Sequence, residues 1–275
     1  LSSRWIKSWE NDCIYGDKKV NILEACILGI IQGLTEFLPI SSSGHLVLAQ
    51  YFMNIQHKGV MLEIILHMGT LGSIIFYYYS DIKSLIIASF YNKDNARYYI
   101  SNLFVATIPT VFCGFFLVDY IENNFIHSIV PIMLFITGIV IASTYFIPQK
   151  DIRNISIQIA ICIGLAQACA LMPGISRSGF TISIALILGV QHYEATKFSF
   201  FMAIPALLGA GVFQIIKFSD TSHIQVFPLI IGFLSAFISG YLVINLLLTI
   251  ISKGKFYLFS LYCFIIAIIS YIFIS

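Results

Sequence analysis

The sequence predicts an all-α, polytopic helical membrane protein: an inverted-topology repeat with about six full spans and two re-entrant helical hairpins. Three observations support this prediction. The 275 residues are 59% hydrophobic and only 10% charged, whereas soluble domains carry roughly 25% charged residues. Apolar runs of membrane-spanning length recur to the last residue. Two of these runs are interrupted by proline, glycine and serine, and the two interrupted stretches match each other.

Residues 1–19 differ from the rest because charged residues and two tryptophans are mixed there. We predict an N-terminal interfacial arm, since tryptophan is common at membrane boundaries, followed by a single integral-membrane domain over 20–275. The domain begins with a helical run over 20–38, a break over 39–44 and a second run over about 46–55. Neither run reaches the ~20 apolar residues that a span needs. The pattern is typical of a re-entrant hairpin, whose non-helical backbone must be buried in protein or line a polar cavity.

The remaining elements follow from hydropathy in chain order. A short amphipathic segment over 81–91 is expected to lie along the interface. A second broken stretch has a helical run over 155–172, the sequence PGISRSG, and a short arm over 181–190. Full spans are predicted over residues 61–80, 101–118, 125–147, 198–218, 226–251 and 256–274.

The two broken stretches align with each other at an offset of 135 residues. The matched pairs are Gly29 with Gly164, Gln32 with Gln167, Ile40 with Ile175, Ser41 with Ser176, Ser43 with Ser178, and Gly44 with Gly179. Each half (about 20–150 and 155–275) then holds one hairpin and three spans, and an odd number of spans inverts the second half relative to the first. Chance matching in apolar sequence is the alternative.

Loop charges support an inverted arrangement. If loop 81–97 is cytoplasmic, alternation also places the basic loops around 150–153 and 253–255 in the cytoplasm, and the acidic loop 119–122 outside, as the positive-inside rule requires. The basic residues of the N-terminal arm run against the rule, although nearby acidic residues nearly offset them. This topology makes the hairpins enter from opposite faces, so that their tips meet near the midplane.

Polar residues at the two breaks are the candidates for function. Gln32 and Glu36 are four residues apart and share a helix face, and an intramembrane carboxylate is by default a functional residue, the alternative being a structural hydrogen-bond partner. Arg177 is the only arginine inside an apolar segment, and its planar donors suit phosphate or carboxylate oxygens. Its alternative role is a buried ion pair with Glu36.

Hydroxyls and helix N-termini around these residues predict an anion site, most plausibly for phosphate. The hydroxyls are those of Ser41, Ser43, Ser176 and Ser178, and Gly44 and Gly179 are expected to let the backbone approach the ligand. A carboxylate among anion-binding groups predicts a divalent cation, Mg²⁺ or Ca²⁺, held by Glu36.

Two histidines lie within reach of this chemistry. His45 follows Ser42 by three residues and can act as base, acid or nucleophile. His67 and Glu63, four residues apart, are expected to support the site or to line the ligand path. The net charge of +2 and the absence of basic runs exclude nucleic acid as an expected partner.

The segments QGLTEFLPISSSGH (32–45) and PGISRSGFT (173–181) resemble the two signature segments of the undecaprenyl-diphosphate phosphatase family, the BacA-type bacitracin-resistance proteins. The resemblance extends over nearly the whole chain from residue 20. It implies removal of the terminal phosphate from a C55 polyprenyl diphosphate, a lipid substrate, to recycle the carrier for cell-wall synthesis, with a divalent cation. It also implies a multi-pass protein of the bacterial inner (plasma) membrane with its active site open to the outer, periplasmic side.

By motif position, the resemblance makes Glu36 the essential acid and Arg177 the phosphate clamp. Ser42 and His45 become candidates for nucleophile or proton transfer, and Ser176 and Thr181 line the pocket. Many family members carry glutamate at the position of Gln32, so the glutamine shifts cation binding onto Glu36.

Several alternatives stay open at this point. The nucleophile is Ser42 with His45 as base, His45 itself, or a water activated by His45 or Glu36. A polyprenyl-phosphate lipid transporter or flippase would use the same midplane anion site. An acid-phosphatase-type enzyme is disfavoured, because the sequence lacks an upstream Lys…Arg-Pro segment and a histidine shortly after Ser176-Arg177. A homodimer is compatible with the sequence.

Overall fold

The structure is a computed structural model that describes residues 20–53, 55, 60–91, 93–125, 129–147, 151–217 and 226–274. The N-terminal arm predicted over 1–19 lies outside these residues. Nearly all of the described chain is helical. The helices are α1 (Ile22–Phe37), α2 (Ser42–Phe52), α3 (Val60–Tyr77), α4 (Tyr79–Phe90), α5 (Asp94–Phe125), α6 (Val130–Ser143), α7 (Ile157–Cys169), α8 (Arg177–Ile187), α9 (His192–Lys217), α10 (Val226–Ser252) and α11 (Phe259–Ile274).

Helix length and composition confirm a polytopic helical membrane protein. Among the described residues, four helical segments, those over 94–117, 192–216, 226–252 and 256–273, are long and apolar enough to cross a membrane. The pair α3 and α4 counts as a fifth if a bend of 70° is allowed. The predicted span over 125–147 is shorter in the structure, because its helix begins only at Val130, with Pro131 in its first turn.

The first broken helix turns at residues 38–41, and the stretch over residues 36–45 around this turn is here called tip one. α1 ends at Phe37, just before Pro39, which cannot continue a helix. α2 begins at Ser42, four residues earlier than predicted, because the Ser41 hydroxyl accepts the N–H of Gly44 at 3.2 Å and caps the helix. Gly44 therefore lies inside the first turn of α2.

The second broken helix turns at residues 170–176, and the stretch over residues 170–181 that contains this turn is here called tip two. α8 begins at Arg177, also four residues earlier than predicted, because the Ser176 hydroxyl accepts the N–H of Gly179 at 3.1 Å. A methyl group added at Gly179 would lie 2.9 Å from the Cβ of Ser176. This glycine makes room for the capping serine. From the sequence it was expected to let the backbone approach a ligand.

The packing of the helices is consistent with two repeats. α2 and α8 have the same length and begin 135 residues apart. α1 packs on α10, and its counterpart α7 packs on α5, while α6 and α11 pack on each other. A methyl group at Gly29 would lie 2.0 Å from Ser235 Oγ, and one at the matched Gly164 would lie 2.3 Å from the Ala106 carbonyl oxygen. Both glycines therefore permit close helix crossings. The inverted orientation stays a prediction.

The largest apolar core supports the two tips from one side. It includes Phe37 at the end of α1, Ile182 of α8, and Phe198 and Phe200 of α9, all of them fully buried. The rings of Phe37 and Phe200 meet edge to face at 5.3 Å between centroids. The helix ends that carry the polar residues are thus held by packed aromatic side chains.

Candidate active site

The carboxylate of Glu36, in the last turn of α1, is the centre of the polar site. It is buried and accepts hydrogen bonds from Gln32 Nε2 at 3.0 Å, Ser42 Oγ at 2.6 Å and Arg177 Nη2 at 2.5 Å. His67 Nε2 lies 3.9 Å from Glu36 Oε2. The two tips therefore meet, and the ion pair with Glu36 that was the alternative role of Arg177 is present in the structure.

Arg177 brings a positive charge to this site from the opposite repeat. Its side chain is only 15% exposed, and its Nη1 atom is buried without a hydrogen-bond partner among the described residues. Leaving a buried guanidinium donor unsatisfied is unfavourable. A phosphate oxygen is the kind of acceptor that would satisfy it, because guanidinium pairs well with planar or tetrahedral oxyanions.

The serines of the two signature segments bind each other and the opposite tip. Ser43 Oγ accepts the N–H of Gly174 at 3.3 Å, and Ser178 Oγ donates to the Leu38 carbonyl at 3.1 Å. Within each tip the two serine hydroxyls also lie close together, Ser41 with Ser43 at 3.2 Å and Ser176 with Ser178 at 3.3 Å. These bonds shape the site, while phosphate contacts by the four serines stay predictions.

His45 does not pair with Ser42 in this structure. Its Nδ1 atom lies 2.7 Å from the Ser41 carbonyl oxygen, and since a carbonyl only accepts, Nδ1 carries the proton. Nε2 of the neutral ring then accepts from the Tyr262 hydroxyl at 2.8 Å. The two rings also stack, with centroids 5.6 Å apart and planes 9° apart. Ser42 instead donates to Glu36.

The backbone of Ser41 is strained. Its φ of 68° makes it the one residue other than glycine with a positive φ in the described part of the chain. Its carbonyl accepts both the backbone N–H of His45 at 3.2 Å and the ring N–H of His45 at 2.7 Å. Non-glycine residues adopt this region rarely, and such strain concentrates at functional sites.

Three further side chains surround the centre. The buried Thr181 donates to the Arg177 carbonyl at 2.8 Å and lies 2.6 Å from Ser199 Oγ. Neither contact tests whether Thr181 lines the substrate pocket, which stays a prediction. The ring N–H of His67 donates to the Glu63 carbonyl at 2.7 Å, which turns Nε2 towards Glu36. The expectation that His67 supports the site agrees with this position.

Tyr262 and Ser199 were missed by the sequence analysis. Tyr262 is 217 residues from His45 in the chain, and it lies in an apolar span rich in aromatic residues. Neither residue belongs to a motif, so no local signal could have identified it.

The described part of the site offers oxygen donors to a hard cation but no cluster of acidic side chains. Among the described residues there is no group of three or more His, Cys, Asp or Glu side chains that could hold a metal ion. The site offers the Glu36 carboxylate and the amide oxygen of Gln32, which is buried and has no hydrogen-bond partner within the described part of the chain. Both are oxygen donors of the type that Mg²⁺ and Ca²⁺ prefer. The residues fit a cation that takes its other oxygens from a bound diphosphate and water.

Comparison with known proteins identifies close relatives over nearly the full chain. The family model described as "Bacitracin resistance protein BacA" matches residues 25–269. A protein of Methanobrevibacter smithii named "Undecaprenyl-diphosphatase" is 36% identical, covering 91% of this chain and 96% of its own length. Proteins of the same name are 38% identical in Bacteroides thetaiotaomicron (88% of this chain, 94% of the relative) and 37% identical in Carboxydothermus hydrogenoformans (90% and 96%).

Proposed function

This chain belongs to the BacA family, and from that premise we propose that it is an undecaprenyl-diphosphatase. It hydrolyses the terminal phosphate of a C55 polyprenyl diphosphate to give the monophosphate and inorganic phosphate. The reaction recycles the lipid carrier for cell-wall synthesis and confers resistance to bacitracin. The observation that carries this proposal is the buried Arg177, which pairs with the carboxylate that also binds Ser42 and keeps one guanidinium nitrogen without a hydrogen-bond partner among the described residues.

Substrate binding changes the partner of Arg177. The guanidinium binds the terminal phosphate through Nη1 first, and its Nη2 turns from Glu36 to the phosphate oxygens. A fixed positive charge in a site with little water stabilises the charge of a transferring phosphoryl group strongly. Glu36 Oε1 then loses its guanidinium partner and is left for the cation, while Oε2 keeps its hydrogen bond from Ser42 and is the oxygen that accepts a proton.

Ser42 is the nucleophile that the hydrogen bonds support best. Its Oγ attacks the terminal phosphorus while its proton passes to Glu36, to which it already donates at 2.6 Å. The bond to the bridging oxygen breaks, and the polyprenyl monophosphate leaves. Water then cleaves the phosphoserine and releases inorganic phosphate. The routes through His45 or an activated water compete with this one, and attack by His45 requires its Nε2 to leave Tyr262.

A divalent cation belongs to the same proposal. Glu36 and the amide oxygen of Gln32 would hold it. When bound, Mg²⁺ or Ca²⁺ neutralises part of the diphosphate charge, which favours departure of the polyprenyl monophosphate. The role of Gln32 is thus to supply an uncharged oxygen.

We further propose that the protein lies in the bacterial inner (plasma) membrane with its site open to the periplasmic side. The loop charges support this orientation. Single cysteines replacing Asp119 and Lys150 in a cysteine-free background should react with an impermeant thiol reagent from opposite sides. Labelling from the same side would contradict the inverted repeat. The homodimer stays a prediction, which the mass of the detergent-solubilised protein by light scattering checks.

Phosphate release by the purified protein tests the activity. We expect the wild-type protein in detergent to release inorganic phosphate from undecaprenyl diphosphate, and Glu36→Ala to release none above background. A chelator should stop release, and Mg²⁺ or Ca²⁺ should restore it. Lipid binding without release would contradict the phosphatase and would favour the lipid transporter. If a chelator leaves phosphate release unchanged, only the proposed role of the divalent cation would be contradicted.

A further inference from the structure

Helix α11 contacts tip one through two consecutive residues. The Tyr262 hydroxyl donates to His45 Nε2 at 2.8 Å, and Cys263 Sγ lies 3.4 Å from the Pro39 carbonyl oxygen. Cys263 is fully buried, whereas Tyr262 is 40% exposed. The helix therefore packs against the side of tip one. Of its two contacting residues, Tyr262 is the one that bonds to a polar side chain of the site.

The contacts of Tyr262 leave His45 with a fixed orientation. One ring nitrogen donates to the Ser41 carbonyl and the other accepts from Tyr262, so the hydrogen bonds define one tautomer. Stacking of the two rings fixes the plane of the imidazole as well. A tyrosine that only filled space beside the lipid would need neither the hydrogen bond nor the parallel rings.

The contacts of His45 are also connected to the Ser42 hydroxyl, because they are made to the carbonyl of the preceding residue. His45 donates twice to the carbonyl of the strained Ser41, and Ser42 is the next residue. The direction of the Ser42 side chain towards Glu36 depends on that strained turn. A loosened His45 would release the turn and move the Ser42 hydroxyl away from the carboxylate.

We propose that Tyr262 is a positioning residue for phosphate release: it holds His45 against the Ser41 carbonyl and thereby keeps Ser42 bonded to Glu36. The inference rests on the proposed function. Among the contacts between described residues, Tyr262 touches neither Arg177 nor Glu36, so it acts on the chemical step rather than on diphosphate binding. Its loss lowers kcat and leaves KM nearly unchanged.

Tyr262→Phe tests the hydroxyl while keeping the ring. We expect kcat to fall about five- to tenfold, the effect of one lost hydrogen bond in the reacting state, with KM changed by less than about twofold. Tyr262→Leu, which also removes the stacking, should lower kcat further. Tyr271→Phe is the matched control, because Tyr271 lies on the same helix and is 64% exposed; its kcat should equal that of the wild type. A wild-type kcat for Tyr262→Phe overturns the proposal.

A second measurement separates positioning from general stability. In a His45→Ala background, Tyr262→Phe should cause no further loss of residual turnover, because the residue through which it acts is absent. A loss of the same size in both backgrounds means that Tyr262 supports only the fold, and overturns the proposal.

A chemical probe makes the test independent of turnover. Diethyl pyrocarbonate modifies neutral imidazole nitrogens, and His45 Nε2 is covered by Tyr262. Mass spectrometry of the His45 peptide should show modification several-fold faster in Tyr262→Phe than in the wild type and in Tyr271→Phe. Equal rates in all three proteins would overturn the contact itself. A wild-type protein that releases no phosphate, by contrast, would contradict the proposed function while leaving this readout intact.

Discussion

A serine caps the helix that follows each tip, and the two serine side chains make the same capping hydrogen bond. In tip one Ser41 accepts the N–H of Gly44 at 3.2 Å, and in tip two Ser176 accepts the N–H of Gly179 at 3.1 Å. The serine two residues after each cap, Ser43 or Ser178, bonds to the backbone of the other tip. The residues that the repeats share therefore build and join the two turns.

The residues that differ between the tips carry the chemistry. At the offset of 135 residues, Glu36 corresponds to Leu171, Ser42 to Arg177, and His45 to Phe180. Tip one thus supplies the carboxylate and the hydroxyl, and tip two supplies the guanidinium. Two turns of similar sequence thus form an asymmetric site, in which the Glu36 carboxylate pairs with the Arg177 guanidinium.

The two turns also place their unusual backbone at different residues. In tip two the positive φ, 97°, falls on Gly174, which adopts it without cost. In tip one it falls on Ser41, at 68°, where a side chain makes it unfavourable. The strained tip is the one that carries Glu36, Ser42 and His45, which is consistent with strain held in place for function.

Removal of Arg177 should have the largest effect, because it takes away the only contribution of tip two to the charge of the site. We expect Arg177→Ala to lower turnover ~1,000-fold or more. Arg177→Lys should recover part of it, since lysine keeps the charge but not the forked donors. Phosphate release from undecaprenyl diphosphate measures both variants.

The control for this prediction is Arg153→Ala, whose side chain is 69% exposed and pairs with Asp151 at the surface. It should keep wild-type turnover. Because removing one partner of a buried ion pair costs about 3–5 kcal/mol, thermal unfolding in detergent must show that Arg177→Ala is folded. Near-normal turnover of a folded Arg177→Ala protein would remove its role as phosphate clamp.

Ser42→Ala should have the next largest effect and separates the mechanisms. If Ser42 attacks and Glu36 takes its proton, turnover falls ~100-fold or more, and no phosphoserine forms. Trapping of phosphoserine in the wild-type protein by mass spectrometry checks the same step. Ser252→Ala, at the exposed end of α10, is the control. Substantial activity in Ser42→Ala would leave His45 or water as the nucleophile.

The sequence was sufficient to predict the framework because the framework is local and repeated. The pairing of Gln32 with Glu36 follows from helix periodicity, and the repeat relation follows from glycine and serine at matched positions. The prediction that Glu36 lies close to Arg177 then required only that the two tips face each other. These predictions depend on patterns between residues that are close in the sequence and on the similarity between the two broken stretches.

The starts of α2 and α8 were predicted four residues too late, because Gly44 and Gly179 suggested the ends of the breaks. Their capping serines lie three residues earlier and start each helix there. The partner of His45 could not be predicted at all, since Tyr262 reaches it across 217 residues from a span without motifs. Local capping is thus present in the sequence and easily misread, whereas contacts between distant helices are not encoded in any local pattern.

Gly174→Ala should destabilise the fold without removing any side chain from the site. A methyl group there would lie 2.7 Å from the Val130 carbonyl oxygen and 2.8 Å from Met133 Cβ, on a residue with φ of 97°. We expect a loss of about 2–3 kcal/mol from strain and overpacking. Thermal unfolding in detergent measures it.

Gly209→Ala in α9 is the matched control, because among the described residues no atom outside the adjacent helix backbone lies within 4 Å of an added methyl group. It should leave the unfolding temperature unchanged or raise it, since alanine is the better helix former by up to about 1 kcal/mol. An equal loss in both variants would show that the space at Gly174 is not what requires a glycine.

The smallest predicted effects are changes in stability, and they differ in sign between the two capping serines. Glycine at a helix N-cap costs only a few tenths of a kcal/mol relative to serine, and added backbone freedom costs about 0.5–1 kcal/mol more. Ser176→Gly should therefore lower stability by about 1 kcal/mol. At Ser41 the same change also removes the penalty of a positive φ, about 1–2 kcal/mol, so Ser41→Gly should be neutral or slightly stabilising. Equal losses of unfolding temperature would mean that tip one stores no strain, whereas a stable Ser41→Gly protein with reduced turnover would tie that strain to the position of Ser42.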